Sequence, residues 1–293
     1  MIATSRRTLI VASAAASLCS GLAAARAPLA EIEAKIGGRL GVAALDVASG
    51  RRLAWRADER FPMCSTFKAM AVAAVLKRVD AGQEQLDRFV RYTEADLLSY
   101  APVTRPHVGE GGMKLGDLCA AAVELSDNTA ANLILASLGG PAGWTSFVRS
   151  LGDGKSRLDR NEPTLNTCIP GDPRDTTTPA SMIADLKAAL LDGALSPASS
   201  RLLKSWMIAA QTGLTKLRAG LPASWTIGDK TGNNGGGTSN DIAVAWAPAG
   251  PIVIACYLTG ADASTADGRD GAIAAVGRLV AETFAARSAA RRG

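Results

Sequence analysis

The sequence predicts a mixed α/β fold, an α+β sandwich in which strands from both ends of the chain form one antiparallel five-stranded sheet. Two observations predict it: short strand patterns lie near both ends of the chain, and the middle of the chain carries helical patterns. We expect residues 28–61 and 214–293 to form an α/β domain, and residues 62–213 to form an inserted all-helical domain. The cleft between two such units is a favoured position for a ligand site.

The strand patterns come in two groups. Residues 39–47 and 52–56 are short apolar segments separated by Ser49 and Gly50, which favour a hairpin turn. The second group lies near the other end of the chain and comprises residues 224–230, 241–247 and 252–258.

Helical patterns occupy the middle and the end of the chain. Pro179 follows three threonines, a favourable helix start because proline is preorganised for the first helical position. Near the C-terminus, Ile273, Val276 and Val280 recur at helical spacing. The predicted helices are residues 65–79, 116–123, 129–138, 179–191 and 270–286.

The composition excludes several classes of protein. Of the 293 residues, 47% are hydrophobic and 20% are charged, which is typical of a globular protein and not of a disordered chain. The single histidine, His107, argues against a histidine-built metal site or a Ser–His–Asp triad. Three of the 32 basic residues lie in the first 27 positions, so the remaining 29 nearly balance the 27 acidic residues. This balance argues against a nucleic-acid partner.

The N-terminus has the pattern of an export signal. Arg6 and Arg7 form a twin-arginine pair, an apolar stretch rich in alanine and serine follows, and an A-x-A triplet ends at Ala27. We therefore expect residues 1–27 to be a signal peptide, cleaved after Ala25 or Ala27. The mature protein would be periplasmic or secreted, with no membrane attachment.

Four cysteines remain after that cleavage, namely Cys64, Cys119, Cys168 and Cys256. An even number in an exported protein permits disulfide bonds. The twin-arginine route typically exports proteins that have already folded in a reducing cytoplasm, so we expect free thiols.

Three short motifs carry the candidate chemistry. The first is an S-x-x-K motif from Ser65 to Lys68, which places a lysine amine within reach of a serine hydroxyl on one helix face. The second is Ser126-Asp127-Asn128, between two helical segments. The third is Lys230-Thr231-Gly232, at the end of a predicted strand. Each motif alone also fits an ordinary helix cap or loop, but their order along the chain makes the set specific.

A fourth segment, Arg160 to Asn166, completes a resemblance to the class A serine β-lactamases, within the penicillin-recognising serine enzymes. Glu162 and Asn166 are similar to the family's deacylation pair, on a surface loop closed by an ion pair between Arg160 and Asp175. The resemblance extends from about residue 30 to residue 284. It implies hydrolysis of the lactam ring of penicillins and cephalosporins, and hence antibiotic resistance, by a monomer without metal or organic cofactor.

The resemblance also implies catalytic roles. Ser65 would attack the lactam carbonyl, and the backbone N–H groups of Ser65 and Asn233 would form the oxyanion hole. Either Lys68 or Glu162, acting through water, would take the serine proton. Ser126 would carry a proton to the lactam nitrogen.

Further residues would bind the substrate. Lys230, with Thr231 and Ser126, would hold its carboxylate, Asn128 would hydrogen-bond its side-chain amide, and Tyr100 would flank the mouth of the cleft. Gly232 and Asn233 would also contact the substrate.

Departures from the family pattern raise one question about carboxylate binding and one about substrate range. Ser239 stands where many penicillinases carry a carboxylate-binding arginine, and Lys216 and Arg269 are the candidate replacements. In carbapenem-hydrolysing members, the cysteine before the nucleophile forms a disulfide bond with a cysteine just after the K-T-G motif. Here Cys64 is present but Asn234 occupies the partner's position, so carbapenem hydrolysis loses its main support from the sequence. The sequence around residues 221–241 is most similar to the extended-spectrum cephalosporinase branch.

Two alternatives remain at the level of sequence. A cell-wall DD-peptidase would share the S-x-x-K and K-T-G motifs, but it would not need Glu162 and Asn166. A penicillin-binding sensor would acylate at Ser65 and stay acylated, which requires a lost deacylation base.

Overall fold

The computed structural model describes residues 27–285, so the predicted signal peptide lies almost entirely outside the described residues. Its centre is a five-stranded antiparallel sheet with the strand order β2-β1-β9-β8-β7. These strands are β1 (Arg39–Asp46), β2 (Arg52–Trp55), β7 (Thr226–Asn233), β8 (Ser239–Ala247) and β9 (Gly250–Thr259). The predicted sheet built from both ends of the chain is confirmed.

Four shorter strands form two small ribbons. In one, β3 (Phe61–Pro62) pairs with β6 (Thr176–Thr177), and in the other β4 (Phe89–Arg91) pairs with β5 (Gly112–Lys114). The first ribbon joins the segment before the S-x-x-K motif to the end of the loop that carries Glu162.

The helices flank the sheet or form the segment between its two groups of strands. Residues 27–36 are helical and are called α1 here. The others are α2 (Phe67–Asp80), α3 (Leu115–Glu124), α4 (Asn128–Ser137), α5 (Pro141–Ser150), α6 (Pro179–Leu190), α7 (Pro197–Ala209), α8 (Leu217–Gly220) and α9 (Ala266–Ala285). Within residues 27–285, no helix combines the length and the apolar character that a membrane span requires.

The sheet is buried on both faces, as the alternating side chains of β1 show. Leu40, Val42 and Ala44 pack into a core shared with α8 and α9, whereas Ala43 and Leu45 pack into a second core shared with the helices α2–α7. The layers are therefore helix, sheet and helix.

Helix α2 is the centre of the second core. Its residues from Phe67 to Leu76 are all buried, and it contacts α3, α4, α5, α6 and α7. A helix that is apolar all round is stable only when other helices enclose it, which explains its run of alanine, valine and methionine.

Several features differ from the sequence prediction, and three of them concern the site or the helical segment. Ser65 lies in a single 3-10 turn, Cys64–Thr66, and not in the first turn of α2 itself. Strand β7 continues through the whole K-T-G motif, which the predicted strand did not. Helices α5 and α7 were missed because glycine, proline and serine dominate their starts, although Pro141 and Pro197 occupy first helical positions where proline is favourable.

Candidate active site

Ser65 is held in a tight turn pressed against strand β7. The Thr66 hydroxyl donates to the Met63 carbonyl at 2.8 Å, which fixes the turn. A Cβ atom at Gly232 would come within 2.6 Å of the Met63 carbonyl oxygen and 3.0 Å of the Ser65 nitrogen. Only glycine therefore lets the strand approach the nucleophile so closely, and this explains the glycine of the K-T-G motif.

Lys68 projects from α2 and is completely buried. Its Nζ donates to Asn128 Oδ1 at 2.6 Å and to the Ser126 carbonyl at 2.8 Å, and it lies 3.3 Å from Ser126 Oγ. Burial lowers the pKa of Lys68, despite the opposing attraction of the Glu162 carboxylate. The S-D-N and S-x-x-K motifs therefore meet at one ammonium group.

Glu162 joins the serine and the lysine. The Ser65 hydroxyl donates to Glu162 Oε1 at 3.1 Å, and Lys68 Nζ lies 3.1 Å from the same oxygen. All three side chains are buried. Within residues 27–285, the Ser65 hydroxyl donates its hydrogen bond to the Glu162 carboxylate. It makes no hydrogen bond with Lys68, the partner expected from helical spacing.

The loop that carries Glu162 is fixed at its two ends and in its middle. Arg160 Nε and Asp175 Oδ2 lie 2.6 Å apart, which confirms the predicted closing ion pair. Asn132, on α4, clamps the backbone of Glu162: its amide donates to the Glu162 carbonyl and accepts from the Glu162 N–H, both at 2.9 Å. Asn166 Nδ2 donates to Glu162 Oε2 at 2.6 Å, which leaves Oε1 facing Ser65.

Lys230 reaches the same centre from the sheet. Its Nζ donates to Ser126 Oγ and to the Thr231 carbonyl, each at 2.9 Å. Burial, together with repulsion from Lys68, lowers the pKa of Lys230 to about 7. Ser126 thus bridges two buried lysines, and its backbone has a left-handed conformation with φ 59°.

Two buried carboxyl groups accompany Lys230 on the sheet. Asp229 pairs with Arg218, and Asp241 accepts a hydrogen bond from the Leu217 N–H at 3.1 Å. Burial raises the pKa of both Asp229 and Asp241. A cluster of buried ionisable side chains therefore lies behind the K-T-G strand.

The two candidate cations are placed differently. Lys216 is buried, and its Nζ lies 2.6 Å from the hydroxyl of Ser239 and pairs with Asp270. Arg269 instead directs its guanidinium to the backbone carbonyls of Ala261 and Ser264. The structure thus brings Lys216, and not Arg269, to the position of the missing arginine.

The remaining predicted substrate-binding residues lie around this group. The Asn128 N–H donates to the Tyr100 carbonyl at 3.1 Å, and the Tyr100 side chain is exposed. The hydroxyl of Thr231 lies 2.7 Å from that of Thr212. Asn233 is the last residue of β7 and pairs with Ser239 across the sheet.

Sequence reasoning missed three neighbours of the site. Asn132 clamps Glu162, Asp270 neutralises Lys216, and the sulfur of Cys168 lies 3.6 Å from that of Cys64. None of these contacts follows a motif, because each joins segments that only the fold brings together. Among residues 27–285, no cluster of three or more His, Cys, Asp or Glu side chains is arranged to hold a metal ion.

A buried serine beside a carboxylate and two lysines, where a helical segment meets a sheet, defines a serine hydrolase of the penicillin-recognising kind. Residues 24–284 match the Beta-lactamase enzyme family. The chain belongs to this family, in its class A.

Similar proteins include Beta-lactamase AST-1 of Nocardia asteroides, with 52% identity over 78% of this chain and 74% of the relative. Beta-lactamase CTX-M-25 of Escherichia coli is 45% identical over 95% of this chain and 98% of the relative. Among solved structures, an ancestral class A β-lactamase matches with a TM-score of 0.86 and 60% identity, over 89% of this chain and all of that one. A putative class A β-lactamase from Rhodopseudomonas palustris, PenP, has a TM-score of 0.87 and 55% identity, over 89% of this chain and 100% of that one.

Proposed function

We propose that this class A β-lactamase opens the lactam ring of penicillins and cephalosporins through an acyl-enzyme on Ser65. The observation that carries the proposal is the triangle of Ser65, Lys68 and Glu162, in which one carboxylate oxygen lies 3.1 Å from both the hydroxyl and the ammonium group. Such an arrangement provides a nucleophile and an adjacent base in a buried site.

Acylation begins with removal of the Ser65 proton. The hydroxyl donates to Glu162, whereas the Lys68 ammonium donates to Asn128 and Ser126. This supports Glu162, directly or through one water, as the acceptor. Before this transfer, the Lys68 ammonium group stabilises the charged form of the Glu162 carboxylate. The backbone N–H groups of Ser65 and Asn233 would bind the developing oxyanion.

Ring opening requires a proton on the lactam nitrogen. Ser126 is suited to deliver it, since its hydroxyl accepts from Lys230 at 2.9 Å and lies 3.3 Å from Lys68. A lysine with a pKa of about 7 can give and regain a proton near neutral pH.

Deacylation involves the second carboxylate oxygen of Glu162, Oε2. Asn166 Nδ2 holds Oε2, while Asn166 Oδ1 is buried and accepts no hydrogen bond from residues 27–285. We infer that Glu162 and Asn166 together position the water that releases the product. This would distinguish the protein from a sensor that remains acylated.

Substrate recognition is assigned to the cationic side of the site. The substrate carboxylate would be held next to Gly232 by Lys230, Thr231 and Lys216. Asn128 would bind the amide of the substrate side chain, beside Tyr100. Lys216 supplies the charge of the absent arginine but not its planar pair of donors.

We also infer that the protein acts as a monomer after export to the periplasm or the medium. The twin-arginine pattern supports export. The proposed division into an α/β domain (residues 28–61 and 214–293) and a helical domain (residues 62–213) would place the catalytic residues at the boundary between them.

The proposal is tested by steady-state hydrolysis of a chromogenic cephalosporin, followed by a panel of penicillins, cephalosporins and a D-Ala-D-Ala peptide. We expect turnover of the lactams and none of the peptide. Ser65→Ala, which removes the nucleophile, should abolish turnover. Peptide cleavage without lactam turnover would instead assign the protein to the DD-peptidases.

A further inference from the structure

Cys64 and Cys168 form a thiol pair that the proposed hydrolysis does not use. Their sulfur atoms lie 3.6 Å apart, although the residues are 104 positions apart in the chain. A disulfide bond is about 2.0 Å long, so the two sulfurs are in contact but not bonded. Cys64 precedes the nucleophile, and Cys168 follows the loop residues Glu162 and Asn166.

Both cysteines have left-handed backbone conformations, with φ 44° at Cys64 and φ 49° at Cys168. Residues other than glycine adopt this conformation at an energetic cost, so the surrounding structure must enforce it. Here it turns two side chains from separate segments toward each other.

The two thiols differ in access. Cys64 is completely buried, whereas Cys168 is half-buried and lines a cavity of about 640 Å³ on the side of the loop facing β3 and the end of β9. Charged side chains of both signs, including Arg60 and Asp172, line the same cavity. A small polar molecule can therefore approach Cys168 without entering the catalytic site.

The two thiols also differ in reactivity. The hydrogen bond with Cys64, followed by those with Thr238 and Asn234, lowers the pKa of Cys168. The same bond and burial raise the pKa of Cys64 well above its usual range. Since the thiolate is the attacking species, Cys168 is the entry point and Cys64 is the second partner.

We propose that Cys64 and Cys168 are a thiol–disulfide exchange site, which small-molecule disulfides reach through the cavity and convert to a Cys64–Cys168 bond. The Cys168 thiolate attacks one sulfur of the reagent and expels half of it as a thiolate. Cys64 then attacks the Cys168 sulfur, expels the second half, and passes its proton to a leaving thiolate. The protein loses two electrons and two protons, and the reagent disulfide is reduced to two thiols.

The new bond ties the turn that holds Ser65 to the loop that holds Glu162. It joins positions 104 residues apart and restricts the unfolded chain accordingly. We expect the oxidised protein to melt at a higher temperature than the reduced protein.

The test incubates the reduced full-length protein with bis(2-hydroxyethyl) disulfide. In wild type, Cys64 and Cys168 should both lose their thiols and appear in one cross-linked peptide, and a reductant should reverse both changes. Comparing the melting temperatures of the reduced and oxidised forms shows whether the Cys64–Cys168 bond stabilises the protein. Thiols retained at both positions, or a melting temperature unchanged by cross-linking, would overturn the corresponding part of the proposal.

Single variants separate the two roles. Cys64→Ser should leave Cys168 as a mixed disulfide with half of the reagent, whereas Cys168→Ser should leave the buried Cys64 unmodified. Cys119→Ser, at a buried thiol in α3, is the matched control and should cross-link like wild type. A mixed disulfide at Cys168 that persists in wild type would show that Cys64 is not a partner. None of these readouts involves lactam hydrolysis, so they stand apart from the proposed function.

Discussion

Lys216 lies against Ser239, with its Nζ 2.6 Å from the serine hydroxyl, at the point where β8 begins beside the last residue of the K-T-G strand. The lysine is buried and its charge is balanced by Asp270. Lys216 thus places a positive charge at Ser239, the position at which many penicillinases carry an arginine.

Removing this charge should weaken substrate binding. Lys216→Ala is expected to raise KM for penicillins by about tenfold, the lower end of what a hydrogen bond to a charged group contributes. Arg269→Ala is the matched control, because that guanidinium binds loop carbonyls, and it should leave KM unchanged. A large rise for Arg269→Ala alone would transfer the role to Arg269.

Removing the carboxylate of Glu162 should trap the acyl-enzyme. In Glu162→Gln the side chain keeps its shape but loses its basicity, and general-base catalysis typically contributes about 10²–10⁴-fold. Mass spectrometry after mixing with a penicillin should detect an adduct on Ser65. The double variant with Ser65→Ala should show no adduct, and rapid turnover by Glu162→Gln would exclude the proposed role.

The pKa of Lys230 predicts a pH dependence. Burial lowers this pKa to about 7, so the free enzyme loses the ammonium charge as pH rises through that value. If the charge binds the substrate carboxylate, kcat/KM should be constant below about pH 7 and fall up to tenfold per pH unit above it. The arginine of Lys230→Arg does not titrate in this range, so this variant should not show the decrease in kcat/KM above pH 7. An alkaline limb identical in both proteins would assign it to another group.

Loss of the Asn132 clamp should loosen the loop that carries Glu162. Asn132→Ala leaves the Glu162 N–H and carbonyl without their partner, at a cost of about 1–3 kcal/mol for each buried group left unpaired. We expect a lower melting temperature and slower deacylation, seen as a longer-lived acyl-enzyme. Asn132→Asp keeps the acceptor for the Glu162 N–H but sets a carboxylate oxygen against the Glu162 carbonyl, so it should not restore the wild-type deacylation rate. A normal deacylation rate in Asn132→Ala would mean that the clamp does not position Glu162.

The sequence predicted the sheet because its strands carry dense apolar patterns bounded by turn residues, and it predicted α2, α3, α4 and α6 because these helices lack interruptions. It missed α5 and α7 because glycine, proline and serine dominate their starts, although an apolar face follows in each helix. In α5, Trp144, Phe147 and Val148 form such a face.

For the site, motifs identify residue types whose roles the chemistry requires, such as Ser65, Glu162 and Lys230. Motifs do not predict the contacts that form only when the fold brings distant segments of the chain together. Cys168 comes beside Cys64 only because the Arg160–Asp175 loop folds back over the turn before α2, and no local spacing encodes that approach.

The pairing of β1 with β9 has a consequence for synthesis of the chain. Arg39 pairs with Thr259 and Asp46 with Ile252, so β1 cannot complete its place in the sheet until more than 200 further residues have left the ribosome. Until then one long edge of β1 and much of the apolar surface of both cores lack their native cover in the nascent protein. Such edges template aggregation, and non-local pairings form slowly. A chaperone that protects the N-terminal half during translation would therefore raise the yield of folded enzyme more than one that acts only after release.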